Sequence, residues 1–519
     1  MLLSWRFGPA SQGRPNPEPK SCLPFCSTDI TAALRSCSDG LSLGLAGGSR
    51  QRARLPFTST EQFDTRDVEI NESNRVMKST LCSLSLVSTV APLHFKSFSN
   101  YCNKSYTGFN GFCLRFKRFC SLGCKNQRQS EKRFTAAEYL PPWFSVAPMM
   151  DWTDNHFRTL ARLISKHAWL YTEMVVAETI VHQKDNLDRF LAFPPEHHPI
   201  VLQIGGSNLE NLAKATELAS TYSYDEINLN CGCPSGKVAG HGCFGARLMF
   251  DPEFVGDAMS AIAANCDVPV SVKCRIGVDD RDSYEELCEF VHTVVSRSST
   301  RHFIIHARKA LLNGLSPAQN RQVPPLKYEY YFALLRDFPD VQFTLNGGIT
   351  CTNQVNAAKR QGAHGVMVGR ASYNNPWFTL GHVDKEVYGV PSTNLTRRRI
   401  LGDYQIYGDS IIGKYGPNKP NIRQLVKPLL NLFHSEPGNG LWKRKADAAL
   451  RHCKTLKAFL DDTLDAIPDS VLDSNLTTSP SSREGDFADM DRLLPPTYTM
   501  ITKDELVPPL CLSTSSWLK

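Results

Sequence analysis

The 519-residue sequence predicts an α/β protein built on a (β/α)₈ barrel, a TIM barrel, followed by a small all-helical domain. Two observations predict the barrel. Eight short apolar, β-branched runs recur between residues 145 and 370, and each run ends in Gly, Pro or polar residues. Segments of helical period separate these runs, as expected for a parallel sheet covered by helices. A doubly wound sheet is the alternative architecture for the same alternation.

The eight predicted strands are defined by their own sequences. They are SVAPMM (145–150), WLYTEMV (169–175), PIVLQIGG (199–206), DEINLNCGCP (225–234), PVSVKCRIG (269–277), RHFIIHAR (301–308), VQFTLNGGI (341–349) and HGVMVGR (364–370). Between two of them, Asp251 and Pro252 provide the cap and first-turn proline of a helix. Because the carboxyl ends of barrel strands share one face, the polar and glycine residues at these ends predict a functional site there.

The two regions after the barrel differ from it in composition. The barrel is predicted over residues 140–386, and residues 387–465 contain helical patterns only, which predicts a helical domain. Its apolar stripes are Leu425, Leu429 and Leu432, and then Ala449, Cys453, Leu456 and Leu460. Residues 466–519 contain Ser, Thr and Pro without a period, which predicts a disordered tail.

The N-terminal extension, residues 1–134, is predicted to be disordered and holds most of the positive charge. It contains 19 Lys+Arg and 9 Asp+Glu, a net of +10, so the other residues sum to −3 of the total of +7. Residues 77–130 begin at Met77, lack Asp and Glu, and contain eight Lys+Arg and nine Ser. This composition is typical of a transit peptide and predicts a chloroplast or mitochondrial protein. A basic tail on a cytoplasmic protein is the alternative, and Met77 is an alternative start.

Composition also argues against several protein classes. No apolar run approaches the roughly 18 residues of a membrane span, so no membrane partner is expected. The 17 cysteines lack the paired spacing of a disulfide framework. A zinc site formed by Cys231, Cys233, His241 and Cys243 is disfavoured, because C-x-C-x₇-H-x-C is not a usual zinc spacing. No metal is therefore expected.

Eight longer motifs occur in order along the barrel. They are VAPMMDWTD (146–154), LYTEMV (170–175), QIGGS (203–207), DEINLNCGCPS (225–235), VKCRIGVDDRDSYEEL (272–287), FIIHARKALLNGLSP (303–317), NGGI (346–349) and VMVGRASYNNP (366–376). With these motifs, residues 143–465 closely resemble the tRNA-dihydrouridine synthases, and among them the A-type enzymes. The resemblance implies an FMN-containing barrel that uses NADPH or NADH to reduce uridine in the tRNA D-loop to dihydrouridine.

The chemistry of uracil agrees with that resemblance. Saturating its C5–C6 double bond takes a hydride at C6 and a proton at C5. Side chains do not deliver hydride, so a flavin is required. A thiol, with a pKa of about 8.5, is mostly protonated at neutral pH and can donate the proton.

Strand alternation separates the two thiols of NLNCGCPSG (228–236). A period of two places Asn228 and Asn230 on one face of the strand and Cys231 on the other, where it packs under the helices as a small apolar residue. Cys233 lies beyond the regular strand, in a turn that can present it at the barrel mouth. It also matches the catalytic acid of the family in the N-x-G-C-P motif. We therefore predict that Cys233 is the proton donor.

The flavin pocket implied by the resemblance is formed at the strand ends. Gln203 is implied to hydrogen-bond the pyrimidine edge of the flavin, Lys273 to lie near its N1–C2=O region and stabilise the anionic reduced form, and His306 to approach the cofactor. Backbone contacts to the isoalloxazine are implied for Ala147, Pro148 and Met149. Phosphate contacts are implied for Asn346, Gly347, Gly348, Gly369 and Arg370, with glycine permitting a close approach.

The tRNA contacts are predicted from the same strand ends and from the helical domain. Asn230 faces the predicted barrel interior and is expected to contact the base or ribose of the target uridine. The other predicted contacts are Arg275 and Arg308 at strand ends, Arg321 in the loop after LSP, and Lys443 and Arg444. Gly440 stands where the family pattern leads us to expect Arg, and Ala318 occupies another variable contact position, so the sequence leaves the target uridine open.

Two other functions are considered. The first is an FMN-dependent barrel acting on a free small molecule, as dihydroorotate dehydrogenases do, for which the basic helical domain would be superfluous. The second is a catalytically silent RNA-binding homologue, which the joint presence of Cys233, Lys273 and His306 argues against. A second G-x-G-x-x-G domain is not evident, so NAD(P)H is expected to reduce the flavin in the same cavity. We expect a monomer.

Overall fold

A computed structural model of the chain describes residues 139–391, 394–416, 419–476, 487 and 490–499. The statements below concern these residues. The predicted N-terminal extension, residues 1–134, lies outside them, as does most of the predicted tail from residue 477 onwards.

Nine parallel strands form a closed barrel. They are β1 (Phe144–Val146), β2 (Trp169–Tyr171), β3 (Val175–Val176), β4 (Ile200–Gly205), β5 (Glu226–Cys231), β6 (Val270–Arg275), β7 (His302–His306), β8 (Gln342–Asn346) and β9 (Gly365–Val368). Closure occurs because β1 pairs with both β2 and β9, and β2 also pairs with β4. The predicted TIM barrel is confirmed. The predicted second strand is split into β2 and β3, which both pair with β4.

Seventeen α-helices are described. Those of the barrel region are α1 (Asn155–Ile164), α2 (Ala177–His182), α3 (Asp188–Leu191), α4 (Leu209–Ala219), α5 (Pro252–Ala263), α6 (Tyr284–Arg297), α7 (Tyr328–Asp337), α8 (Thr352–Arg360), α9 (Arg370–Asn374), α10 (Pro376–Gly381) and α11 (Val383–Glu386). Those that follow are α12 (Arg397–Ile411), α13 (Ile422–Val426), α14 (Asn439–Ala449), α15 (Leu456–Thr463), α16 (Asp469–Leu472) and α17 (Met490–Leu493). None of the helices in the described ranges combines the length and apolar character needed to cross a membrane.

Helix starts follow local chemistry. Asp251 accepts a hydrogen bond from the backbone N–H of Phe254, with Pro252 in the first turn, as the sequence predicts for α5. Asp154 caps α1 in the same way through the N–H of Phe157. Each such cap satisfies an N–H that the helix leaves unpaired and contributes about 1 kcal/mol. These caps fix where the helices begin after the strand ends that carry the site.

The barrel has an apolar outer face and a largely polar interior. On β5 and β6, Leu229, Cys231, Val272 and Cys274 are buried in the core that joins the strands to the helices. Inside the barrel, a small apolar cluster accompanies buried polar side chains. That cluster is Ala147, Tyr171, Val201, Ile304 and Met367. A polar interior requires internal hydrogen bonds, because buried unpaired groups are costly.

The helical domain continues the core of the barrel. The residues of both predicted apolar stripes are buried. The second stripe is divided between α14 and α15, with a turn at residues 450–455. Arg397 at the start of α12 is 1% exposed, lies 4.4 Å from the ring centroid of Trp377 in α10, and pairs with Glu436. This buried cation anchors the domain beside the barrel.

The prediction that residues 466–519 form a disordered tail is wrong for the part that the structure describes. Val471 and Leu472 of α16 are buried against the helical domain, and Phe487 is 2% exposed. α17 packs on α7, and Tyr498 stacks on Phe338. These apolar residues are too widely spaced to show a helical period, so sequence pattern alone does not reveal that they dock.

Candidate active site

Cys233 is fixed at the mouth of the barrel by hydrogen bonds to its backbone N–H and to its backbone carbonyl. Its N–H donates to Oδ1 of Asn230 at 3.0 Å, and its carbonyl accepts from the N–H of Ala246 at 2.9 Å. The thiol side is partly exposed. Cys231, two residues earlier, is fully buried beside Cys274, and burial raises its pKa well above the ordinary value. The structure thus separates the thiols in the way that strand alternation predicts.

Asn230 has a structural role in addition to its predicted one. Its Oδ1 accepts from the N–H groups of both Gly232 and Cys233, and its Nδ2 donates to Oε1 of Gln203 at 2.8 Å. The side chain is 9% exposed. An amide with these three internal bonds holds the Cys233 turn in place, and the predicted contact with the target nucleoside stays a prediction.

A column of polar side chains inside the barrel supports Asn230. Gln203 donates to Asn228, Asn228 donates to Ser271, and Ser271 donates to the buried carboxylate of Glu226. Gln203 is 1% exposed, and the two Asn partners leave only one of its N–H groups and one lone pair for a flavin edge. Sequence reasoning missed Glu226 and Ser271, although period-two spacing from Asn228 and Lys273 places them on the inward face.

Glu226 stays ionised at the base of this column. Burial alone would raise its pKa, but the charge of His302 and hydrogen bonds from His302, Ser271 and Tyr139 outweigh burial and lower it. Nδ1 of His302 lies 3.5 Å from Oε1 of Glu226, and its Nε2 lies 2.8 Å from Oγ1 of Thr344. A buried charge held by this many partners fixes the barrel interior rigidly.

Lys273 is a strongly perturbed cation at the inner end of the pocket. Its Nζ donates to Oδ1 of Asn346 at 3.0 Å, and Asn346 in turn donates to the carbonyl of Met367 at 2.7 Å. Burial, followed by the neighbouring charge of Arg275, lowers the pKa of Lys273 to about 8. Asn346 therefore holds Lys273 through its side chain. The sequence predicted only a phosphate contact for Asn346 and not this role.

Arg275 also has a structural role in addition to its predicted one. It is 4% exposed, and its Nε and Nη1 donate to the carbonyls of Gly232, Arg308, Lys309 and Asn320. Burial lowers its pKa to about 10. A guanidinium used in this way ties the Cys233 turn to the loop after β7, and the predicted contact of Arg275 with tRNA stays a prediction.

Other cations surround the same mouth. Arg308 donates to the carbonyl of Pro324, and Nη2 of Arg370 donates to the carbonyl of Arg321 at 3.0 Å. Burial, followed by the charge of Arg370, lowers the pKa values of both Arg321 and Arg308. His306 has its pKa lowered by burial and then by Arg275 and Lys273, so it is neutral at pH 7. These cations repel one another, and an anion bound between them would relieve that repulsion.

The Gly347–Gly348 turn after β8 can be formed only by residues without side chains. Their φ angles are +113° and +76°. A Cβ on Gly348 would lie 2.5 Å from the Tyr328 hydroxyl and 2.7 Å from Cδ1 of Leu326. Gly369 follows β9, and a Cβ there would lie 3.7 Å from Cβ of Ala147 and 3.9 Å from Sδ of Met149. The glycine turns and the segment after β1 are thus neighbours around one pocket.

The segment Ala147–Met149 has fewer free donors than its predicted backbone contacts suggest. The N–H of Ala147 donates to the carbonyl of Val368, the N–H of Met149 donates to Oγ1 of Thr153, and Pro148 has no N–H. The segment would therefore contact a ring system through its carbonyl groups and carbon atoms, and not through backbone donors.

The residues present fit FMN on three observations. Nδ1 of His306 and Nε of Arg321 are buried and have no hydrogen-bond partner among the described residues. Lys273, Arg321, Arg308 and Arg370 provide positive charge for a phosphate and for an electron-rich ring edge. The two left-handed glycines leave their backbone open to close approach, as in other phosphate-binding turns.

A second surface lies where the helical domain meets the barrel mouth. Trp152 stacks on Tyr373 with ring centroids 4.5 Å apart, and both line a groove. Lys427 and Lys443 line the same groove. Arg444 is exposed on α14 next to Lys443. Gly440 lies in the first turn of α14, and a Cβ there would lie 3.9 Å from its nearest neighbour, Nη1 of Arg444, so a longer side chain would fit.

Comparison with known proteins gives one consistent result. The sequence profile of the dihydrouridine synthase (Dus) family matches residues 145–469. The tRNA-dihydrouridine(20/20a) synthases of Shigella flexneri and Escherichia coli (strain K12) are each 44% identical over 303 residues, covering 58% of this chain and 86% and 84% of the relatives. The Salmonella typhi protein of that name is 41% identical over 338 residues, covering 64% of this chain and 98% of the relative. The matched region contains Cys233 and the cationic pocket. It also contains every barrel strand, apart from the first residue of β1.

Proposed function

The chain belongs to the dihydrouridine synthase family, and on this basis we propose that it is a tRNA-dihydrouridine synthase. It is a flavin-dependent oxidoreductase that uses FMN and NAD(P)H to reduce the C5–C6 double bond of uridine in the tRNA D-loop. The observation that carries the proposal is the position of Cys233. Its backbone N–H and carbonyl are both hydrogen-bonded, which holds it in the mouth of a cationic barrel pocket. The names of the relatives make uridines 20 and 20a the expected targets.

In the proposed mechanism, bound FMN supplies the hydride that adds to C6 of the uracil. Gly347, Gly348, Gly369 and Arg370 would hold its phosphate, with Lys273 and His306 near its ring. The Sγ–H of Cys233 gives its proton to C5 of the uracil, and solvent later restores that proton. The thiolate left behind is stabilised by Lys273, Arg275 and Arg321. Its negative charge in turn raises the pKa values of these three cations.

Purified protein incubated with NADPH and unmodified tRNA tests the function. We expect one non-covalently bound FMN per chain and dihydrouridine in the digested tRNA, located by primer extension. Free uridine and orotate serve as the matched substrates for the small-molecule alternative. Turnover of free pyrimidine without turnover of tRNA, or a protein that cannot be loaded with FMN, would contradict the proposal.

We predict that Lys443 and Arg444 contribute to tRNA binding through phosphate contacts. Changing both residues to Glu is expected to weaken tRNA binding on the order of tenfold at low salt, with a smaller effect at high salt, because counterion release drives such contacts. Filter binding across a salt series measures this. Lys214→Glu, an exposed lysine of α4, is the control and should leave affinity unchanged. Equal affinities of the double variant and the control would show that α14 does not contact tRNA.

We propose that the protein acts in chloroplasts or mitochondria. Support comes from the acid-free, Ser-rich and basic composition of residues 77–130. A fluorescent reporter fused to residues 1–134 is expected to enter one of these organelles, as is a fusion that begins at Met77. Microscopy with organelle markers provides the measurement. A diffuse cytosolic signal from both fusions would favour the cytoplasmic alternative.

A further inference from the structure

Beyond residue 469, where the family match ends, the chain returns to the barrel. Phe487 and residues 490–499, here called the C-terminal clasp, lie along α7. Two anchors hold the far end of the clasp. Both Nη atoms of Arg336 donate to the carbonyl of Pro495 at 3.1 Å, and the N–H of Tyr498 donates to Oδ2 of Asp337 at 3.0 Å.

The near end of the clasp reaches the first residue of α7. The ring of Phe487, which is 2% exposed, lies 5.1 Å from the ring of Tyr328 and 6.0 Å from that of Phe332. The buried ring of Phe487 packs against Tyr328 and limits the space open to the Tyr328 ring. The clasp therefore fixes Tyr328 from outside the barrel.

Tyr328 connects this contact to the pocket. Its hydroxyl donates to the carbonyl of Gly347 at 2.7 Å, and the same oxygen lies 2.5 Å from the position that a Cβ of Gly348 would take. Tyr328 is thus the floor of the glycine turn that follows β8. A turn with two left-handed residues has many alternative conformations in the absence of such support, because glycine is the least restricted residue.

We propose that Phe487 and Tyr328 are positioning residues for FMN, through which the C-terminal clasp sets the glycine turn for the cofactor phosphate. This inference rests on the proposed function, because it takes FMN as the ligand. Phe487 touches Tyr328, Tyr328 holds Gly347, and neither side chain is required to touch the cofactor. The clasp therefore acts, through Tyr328, on the phosphate end of the ligand.

The experiment compares two flavins in the flavin-free full-length protein. FMN carries the phosphate and riboflavin lacks it, and quenching of flavin fluorescence gives the dissociation constant of each. Phe487→Ala and Tyr328→Phe are expected to weaken FMN binding roughly tenfold, as for the loss of one well-placed contact. Riboflavin binding should stay within about twofold of wild type. Phe487→Leu keeps an apolar contact and should restore most of the FMN affinity.

Control variants distinguish positioning from general support of the fold. Tyr498→Ala removes the stacking at the far end of the clasp and should leave FMN binding within about twofold while lowering the melting temperature. Tyr328→Phe removes one hydroxyl only, so it tests the proposal even if Phe487→Ala fails to fold. FMN binding unchanged in both test variants, or equal losses for FMN and riboflavin, would overturn the inference. A wild-type protein that binds neither flavin would instead overturn the proposed function.

Discussion

Replacing Cys233 by Ala is expected to lower the rate of dihydrouridine formation by about 10²–10⁴-fold, the range typical of a lost general acid. The variant loses the proton for C5 of the uracil, while the cationic pocket and the glycine turns keep their structure. Loss of flavin absorbance on addition of NADPH should therefore proceed at a near-normal rate. The defect should appear only when tRNA is added to the reduced enzyme, and rapid-mixing absorbance at the flavin band separates the two steps.

Cys231→Ala is the matched control, because the two thiols are close in sequence and differ in surroundings. Cys231 is buried between strand and helices, so its replacement should cost about 1–2 kcal/mol of stability through lost packing and keep most of the activity. Asn230→Ala should also lower the rate of dihydrouridine formation, but by less than Cys233→Ala, because it only frees the N–H of Cys233. An inactive Cys231→Ala protein beside an active Cys233→Ala protein would show that the proton donor is Cys231 instead.

Lys273→Met is expected to stabilise the flavin-free protein at neutral pH by up to about 3 kcal/mol. Burial lowers the pKa of Lys273 from the ordinary 10.5 to about 8. Since a tenfold change in a protonation equilibrium is about 1.4 kcal/mol, keeping this lysine charged in the folded state costs about 3 kcal/mol. The site tolerates that cost because an anionic ligand beside Lys273 would remove it.

The sign of the pH dependence follows from proton binding. Below pH 8 Lys273 is charged in the folded and unfolded states, and the full cost is present. Between about pH 8 and 10.5 only the unfolded state keeps the proton, so the unfolding free energy of the wild-type protein rises with pH relative to the variant. The advantage of Lys273→Met should therefore shrink over this range. Denaturant unfolding at pH 7 and pH 10 measures it.

Lys443→Met provides the comparison for this experiment, because Lys443 is exposed and the same substitution there removes a lysine without changing the buried pocket. A stabilisation by Lys273→Met that is the same at pH 7 and pH 10 would show that packing, and not charge burial, sets the difference. Addition of FMN should reduce the advantage of the variant at pH 7, because the ligand interacts with the charged lysine that Met lacks.

Local pattern in the sequence predicts the barrel and the division between the two thiols. Each strand is a short β-branched run ended by Gly, Pro or polar residues, and this information is contained within about ten residues. Period-two alternation along β5 predicts that Cys231 faces the helices, and the burial of Cys231 agrees. The motifs at the strand ends also gather side chains at one site, because parallel strands bring their carboxyl ends to one face.

Pattern does not decide which of those strand-end side chains bind a ligand. Asn230 and Arg275 have the residue types and positions of substrate contacts, yet both hold the backbone of the Cys233 turn. Arg275 does so through carbonyls of Arg308, Lys309 and Asn320, whose positions depend on how the loop after β7 folds. A polar side chain at a strand end can satisfy its donors internally or through a ligand, and only tertiary contacts select between them.

The sequence by itself determined the barrel, the helical domain and the position of Cys233, because periodicity and turn residues act over a few neighbouring positions. Only the tertiary structure decided that Asn230 and Arg275 are internal supports and that Lys273 is a cation held against its desolvation cost. It also decided that Phe487 docks on Tyr328. The reason is physical: burial, desolvation and hydrogen-bond saturation depend on groups that are remote in sequence, and a lone Phe in a Ser- and Pro-containing tail has no period to indicate the surface that covers it.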